Sequence, residues 1–182
     1  MKLYENEIVR IRDVYIKFHE TLEAEDLIIQ KMFANDFTDK PFTTAEFCNL
    51  MGKISKEKSK HPEKSFITTA YDYDVPVYIS TIKDSSLALN LAVHRLHDKV
   101  YSLDFVKEII EQASILYNSK KSGIVELGGG VPKNTAQQTG PLLDQILQRN
   151  DGGQDYVIQI TDARPDTGGL SCPSFATRLE RI

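Results

Sequence analysis

The stretch Gly123-Ile124-Val125-Glu126-Leu127-Gly128-Gly129-Gly130-Val131-Pro132-Lys133 decides how this chain is read. A short apolar run through Leu127 stops at three glycines, and helix-compatible residues resume only at about Thr135. That is the signature of a buried strand whose backbone turns sharply at its carboxyl end. Glycines also strip side chains from the turn, so that backbone N–H groups there approach a ligand closely. Taken alone, the stretch fits equally a tight strand-to-helix turn or a ligand loop.

The flanking segments extend the pattern. Val75-Pro76-Val77-Tyr78-Ile79-Ser80-Thr81-Ile82 is β-branched and aromatic and predicts a strand with its proline near the start. Asp84-Ser85-Ser86 offers N-cap chemistry for a short helix that follows, and Asp84 reads either as that cap or as a ligand contact. A helix over about Ser102 to Tyr117 is expected to turn Leu103, Val106, Ile110, Ala113 and Leu116 inward, and another spans about Thr135 to Gln148. Tyr156 to Thr161 predicts the last strand. Strands alternating with helical crossovers lie parallel, so their exit loops share one rim, where ligands bind. Those loops are Thr81 to Ser86, Gly128 to Asn134 and Thr161 to Thr167, and three of them on one rim favour the ligand reading.

Upstream, Ile8, Ile11, Tyr15, Phe18 and Leu22 recur at spacings of three and four and predict a helix from Glu5 to about Ala34. Thr43 and Glu46 form a capping-box pattern for a second helix, expected to end at Gly52 or in the lysine cluster Lys53 to Lys64. The expectation is an α/β fold: a helical segment over 1–65, a parallel sheet with helices on both faces over 66–171, and an atypical tail over 172–182.

Composition narrows the function classes. The 182 residues suffice for one domain, with 41% hydrophobic and 26% charged residues. A net charge of −4 gives no basic footprint for nucleic acid, and the lysine cluster reads as a solvated loop. Cys48 and Cys172 have no metal-binding or disulfide spacing, and His94 and His97 lack the further ligands a metal pair would need. No apolar run approaches the ~18 residues of a membrane span and no leader is evident, so the cytoplasm is the expected location. There is no GxGxxG and no GxxxxGK[ST]. The carboxylates Asp84, Asp162 and Asp166 suit a cationic or hydroxyl-rich ligand better than a bare phosphate.

In this order, Asp84-Ser85-Ser86-Leu87, Glu126 to Lys133 and the Thr161 to Ser171 loop resemble the deoxyhypusine synthase family, especially its bacterial deoxyhypusine-synthase-like branch. Arg10 to Ile16 looks like the segment opening that family's second half, so the likeness runs from Val9 to about Ser171. The resemblance implies a Rossmann-like homotetramer that binds NAD and moves the aminobutyl group of spermidine to a lysine or a small amine. It assigns Asp84, Gly128, Gly129, Gly130, Thr161, Asp162 and Ser171 to the cofactor. On the polyamine side it departs: Asn134 stands where the family has a histidine, Gln138 where it has an asparagine, and Leu170 where an aspartate is expected. An asparagine cannot accept a proton as histidine does. The resemblance also implies that the family's amino-terminal half is missing and that the Trp-Gly-Lys segment, whose lysine carries the imine, is absent; the chain contains no tryptophan. No catalytic residue is therefore assigned and this polypeptide alone is expected to be inactive. Two alternatives remain: a non-catalytic partner of a full-length relative, and an S-adenosylmethionine-dependent methyltransferase using the same glycine turn.

Overall fold

The computed structural model describes residues 8–11, 14–17, 24–35, 40–149, 153–164 and 169. These fall into two compact units, one of the described residues up to Pro41 with Ile82–Ser102, the other of Phe42–Thr81 and the described residues from Leu103 on.

The first unit opens with strands β1 (Ile8–Ile11) and β2 (Val14–Lys17), an antiparallel pair in which Ile11 faces Val14. The helix expected here is thus overturned over Ile8–Lys17. Ile8, Val9, Ile11, Val14 and Ile16 are all β-branched, and that preference outweighs a spacing of three and four. Helix α1 (Ala24–Asn35) packs on helix α4 (Ser86–Leu96) through buried Ile29, Met32, Phe33 and Leu87. Buried between them, Asn90 is fully used: its amide donates to Asp26 at 2.8 Å and to the Ser86 carbonyl at 2.9 Å, and accepts from Gln30 at 3.1 Å. His94 packs edge-on against Phe33 and Tyr101, and burial holds its pKa below the usual imidazole value, while His97 caps the helix end.

In the second unit, helix α2 (Thr44–Lys58) carries the expected capping box: Glu46 N–H donates to Thr43 Oγ1 and Thr43 N–H to Glu46. It ends within the lysine cluster, running through Gly52, which lies so close to helix α3 (Phe66–Asp72) that a Cβ there would sit 2.6 Å from the Ile67 carbonyl. Helix α5 (Phe105–Tyr117) follows; α6 (Val131–Gln137) and α7 (Thr139–Pro141) then lead into a π-helical turn, Leu142–Ile146. Ala113, Leu116 and Leu143 form a core between them, whereas Ile146 and Leu147 are exposed.

The strand expected over Val75–Ile82 does not form; Ile82–Asp84 is a 3-10 turn and the residues before it pair with no strand. Pro76 has no N–H to give a ladder, and the Ile79 N–H donates instead to Thr44 Oγ1 at 2.9 Å. Thr44 is the hub of a buried polar cluster. Its own N–H and hydroxyl both donate to Glu108 Oε2, at 2.8 and 2.6 Å. This answers two donors at the start of α2 with one carboxylate, and it fixes which side of α5 faces inward. Glu108 is buried in consequence, while Val106 and Ile110, expected inward, are exposed.

Strands β3 (Gly123–Leu127) and β4 (Tyr156–Ile160) form a parallel pair with Leu127 beside Ile160. The parallel expectation holds for these two strands, and among the described residues the sheet is two-stranded rather than a wound sheet covered on both faces.

Candidate functional site

The register of β3 and β4 brings their carboxyl ends out side by side. Leu127 runs into the glycines and Ile160 into Thr161, and the Gly128 N–H extends the ladder by donating to the Ile160 carbonyl at 2.7 Å. Gly128 has φ +84° and Gly130 φ +79° with ψ −150°, the latter in a region open almost only to glycine. A Cβ at either position would meet nothing within 4 Å, so conformation rather than crowding demands glycine here. Beside Gly129 lies a hollow of about 200 Å³, bordered by Leu127, Pro132, Lys133 and Glu126. Thr161 is half-buried at the same rim and its Oγ1 accepts from the Ala163 N–H at 3.1 Å; Asp162 is exposed.

Asp84 belongs to the first unit, exposed in the turn before α4, and Ser85 rather than Asp84 supplies the cap, its Oγ accepting from the Ala88 N–H. Ser171 lies outside the described residues. Asn134 and Gln138 stand four apart along α6, hence on one side of it, with Asn134 half-buried and Gln138 exposed.

Sequence reasoning missed the residues behind the turn. Glu126 is only 6% exposed and Lys133 only 7%. Glu126 Oε1 accepts from Gln137 Nε2 of α6 at 2.8 Å, while Oε2 has no partner. Gln159 Nε2 donates to the Gly128 carbonyl at 2.7 Å. The available signal was a carboxylate inside an otherwise apolar strand, two residues before the first of the three glycines.

A dinucleotide fits this turn in part. Bare backbone, a hollow and a neighbouring hydroxyl suit one portion of it, but about 200 Å³ is less than the roughly 300–1,000 Å³ of a small-molecule site. A larger hollow of about 580 Å³ opens at the amino-terminal end of β3, lined by Val75, Tyr78, Gln112, Ser122 and Gly123. It lies away from the glycine rim, and no pattern of reactive side chains marks it. Burial, with Glu111 and Glu108 adding to it, pushes the Tyr78 phenol up to about 12.

A parallel strand pair that ends in a glycine turn beside a hydroxyl-bearing strand end is an α/β arrangement, and in open α/β sheets this is the edge where ligands bind. The sequence comparisons say which family: the deoxyhypusine synthase family model matches residues 1–177, and the chain belongs to that family. It is 40% identical, over its whole length, to a deoxyhypusine synthase-like protein of Nostoc punctiforme, covering 49% of that protein. A probable deoxyhypusine synthase 2 of Methanosarcina acetivorans is 34% identical over 96% of the chain, again 49% of the relative. A deoxyhypusine synthase-like protein of Coxiella burnetii is 31% identical over 90%, or 46% of the relative. The chain thus spans about half the length of the curated relatives it matches. The family match also reaches beyond the motif-bearing Val9 to Ser171 on both sides.

Proposed function

We propose that this chain supplies the glycine-turn rim of an NAD-dependent aminobutyl transferase, with spermidine or a related polyamine as donor and a lysine or small amine as acceptor. The observation that carries this reading is the backbone at Gly128 and Gly130, both at positive φ with open space where a Cβ would stand, and the hollow beside Gly129 between them. NAD, when bound, supplies the hydride acceptor that makes the carbon beside the amine reactive. Gly128 to Gly130 would lie under the cofactor, with Thr161 next to them and Asp84, Asp162 and Ser171 as further contacts. Asn134 and Gln138 would hold the polyamine. Their amides donate and accept hydrogen bonds but take no proton, so they orient an amine without deprotonating it. The covalent carrier in this chemistry is a lysine amine. The family resemblance places that lysine in a Trp-Gly-Lys segment, which the 182 residues do not include, so this polypeptide assayed by itself is expected not to turn over. The family resemblance carries the assembly, a homotetramer, and the location, the cytoplasm, into the same proposal.

The test is calorimetric titration of the purified chain with NAD, with S-adenosylmethionine as comparison. Saturable NAD binding that weakens in Gly129→Ala is expected. Heat only with S-adenosylmethionine, or none with NAD, would overturn the proposal, and NADH formation from NAD and spermidine by the chain alone would refute the inactivity.

A further inference from the structure

Glu126 is the buried charged group that the function proposed above leaves unused. It stands beside Gln159 in the strand register and is tied to α6 by Gln137, whose amide donates to Oε1 at 2.8 Å. Its other oxygen, Oε2, is equally buried and has no hydrogen-bond partner. The Gln159 amide next to it donates to the Gly128 carbonyl instead. Buried carboxylate oxygens are hydrogen-bonded as a rule, so an orphan in a native chain requires a reason. Glu126 is also a wall of the hollow of about 200 Å³ beside Gly129. An unmet acceptor at the wall of a hollow is a demand for a donor brought by a ligand.

The remaining walls decide which donor. Ile124, Val125, Leu127, Pro132 and Ala136 border the hollow and bring no side-chain hydrogen-bonding group. A buried water wants roughly two to four polar partners, and such walls supply few. A sugar would bury several hydroxyls there and have one of them answered. A phosphate would set one anion against another. A primary ammonium on an unbranched methylene chain meets both demands, with a charge-assisted hydrogen bond to Oε2 and its methylenes on the apolar walls. Lys133 borders the hollow too, but an interaction of its own already engages it, so the unanswered group is the carboxylate.

We infer that the hollow beside Gly129 seats the ammonium end of an unbranched aliphatic amine, with Glu126 Oε2 accepting from it and Gln137 holding the carboxylate in place. The inference deepens the function proposed above and rests on it only for a polyamine as the source of the amine. It gives the interior of the hollow to the amine and leaves the glycine backbone at its edge to the cofactor. The test is calorimetric titration of the 182-residue chain with n-butylamine, with n-butanol as its neutral counterpart and NAD in a separate titration. Saturable amine binding is expected, at least tenfold weaker in Glu126→Gln, which keeps an acceptor for Gln137 but turns a donor toward the ammonium. The alcohol is expected not to bind. Should Glu126→Gln lose the circular-dichroism signature of the wild type, Ala136→Val, which narrows the hollow and leaves the carboxylate in place, is expected to weaken amine binding at least fivefold. No saturable amine binding, alcohol binding of equal strength, or wild-type affinity in either variant when folded overturns the inference. NAD binding without amine binding sinks the amine seat alone. Amine binding that Glu126→Gln removes, in a chain that takes up no NAD, upholds the seat and sinks the cofactor reading.

Discussion

Replacing Gly130 with alanine isolates the backbone cost of the glycine turn. At φ +79° and ψ −150°, residue 130 sits where a non-glycine residue costs about 1–3 kcal/mol. The added methyl touches nothing within 4 Å, so neither clash nor new packing contributes. Alanine also narrows the unfolded ensemble, which offsets about 0.4–1 kcal/mol where the native conformation tolerates it. The net expectation is a loss of about 1–2 kcal/mol, read as a lower urea midpoint at unchanged slope in the complete chain. Gly129→Ala is the matched control. Gly129 does not share the positive φ of its two neighbours but borders the hollow. It is expected to leave the midpoint nearly unchanged while weakening NAD binding. A Gly130→Ala chain with the wild-type midpoint and slope, or a Gly129→Ala chain destabilised equally, would refute the reasoning.

Other expectations follow from the buried polar groups. Glu108→Ala leaves the two Thr44 donors without their carboxylate and should cost roughly 2–5 kcal/mol by urea unfolding, against a smaller loss for Glu108→Gln, which keeps an acceptor; equal losses would show that the acceptor is immaterial. Burial, helped by Glu108, pushes the Cys48 thiol up to about 11, so in a Cys172→Ser chain Cys48 should resist thiol labelling at pH 8 until unfolded, and rapid labelling there would contradict its burial. Partial burial raises the Glu46 carboxyl, but Lys107 and the Thr43 N–H outweigh it and hold it below its usual 4.5. A depressed carboxyl stabilises above 4.5 and loses that contribution as pH falls through the folded value, a small effect at so exposed a group. Unfolding midpoints of wild type and Lys107→Ala should therefore converge as pH drops below 4.5, and parallel curves would contradict the pairing. Gln159→Leu frees the Gly128 carbonyl from the amide that fixes it and should weaken NAD binding more than it lowers stability, whereas a loss of stability alone would make the bond merely structural.

What could be read from sequence was chemistry that acts over a few residues. The capping box at Thr43 and Glu46, the cap of α4 and the stop at Gly128 to Gly130 all involve neighbours in the chain, and all formed, with Ser85 rather than Asp84 as the cap. The failures were decided by distant partners. Val75–Ile82 has strand composition, but no strand lies beside it and Thr44, 35 residues before Ile79, takes its N–H. Helix α5 turns Glu108 inward because Thr44 has two donors to satisfy, and the periodicity of Val106 and Ile110 carries no trace of that demand. The hairpin over Ile8–Lys17 is a different failure, of weighting: its β-branched density was visible and lost to spacing.

The same division explains why the glycine turn was legible and its support was not. Both backbone groups of Gly128 are already engaged, its N–H by the Ile160 carbonyl and its C=O by Gln159, so a ligand must find its contacts past Gly128. Behind the turn, Glu126 ties β3 to α6 through Gln137, and α6 is the helix that carries Asn134 and Gln138. A carboxylate placed in a strand interior costs stability unless it is hydrogen-bonded, and here the bond joins the strand that ends in the glycine turn to helix α6. Glycines at the front free the backbone, while Glu126, Gln137 and Gln159 at the back hold it in one arrangement. A site meant to present fixed backbone groups to a ligand needs both, because a glycine run without such anchors would have to be ordered anew at each binding event.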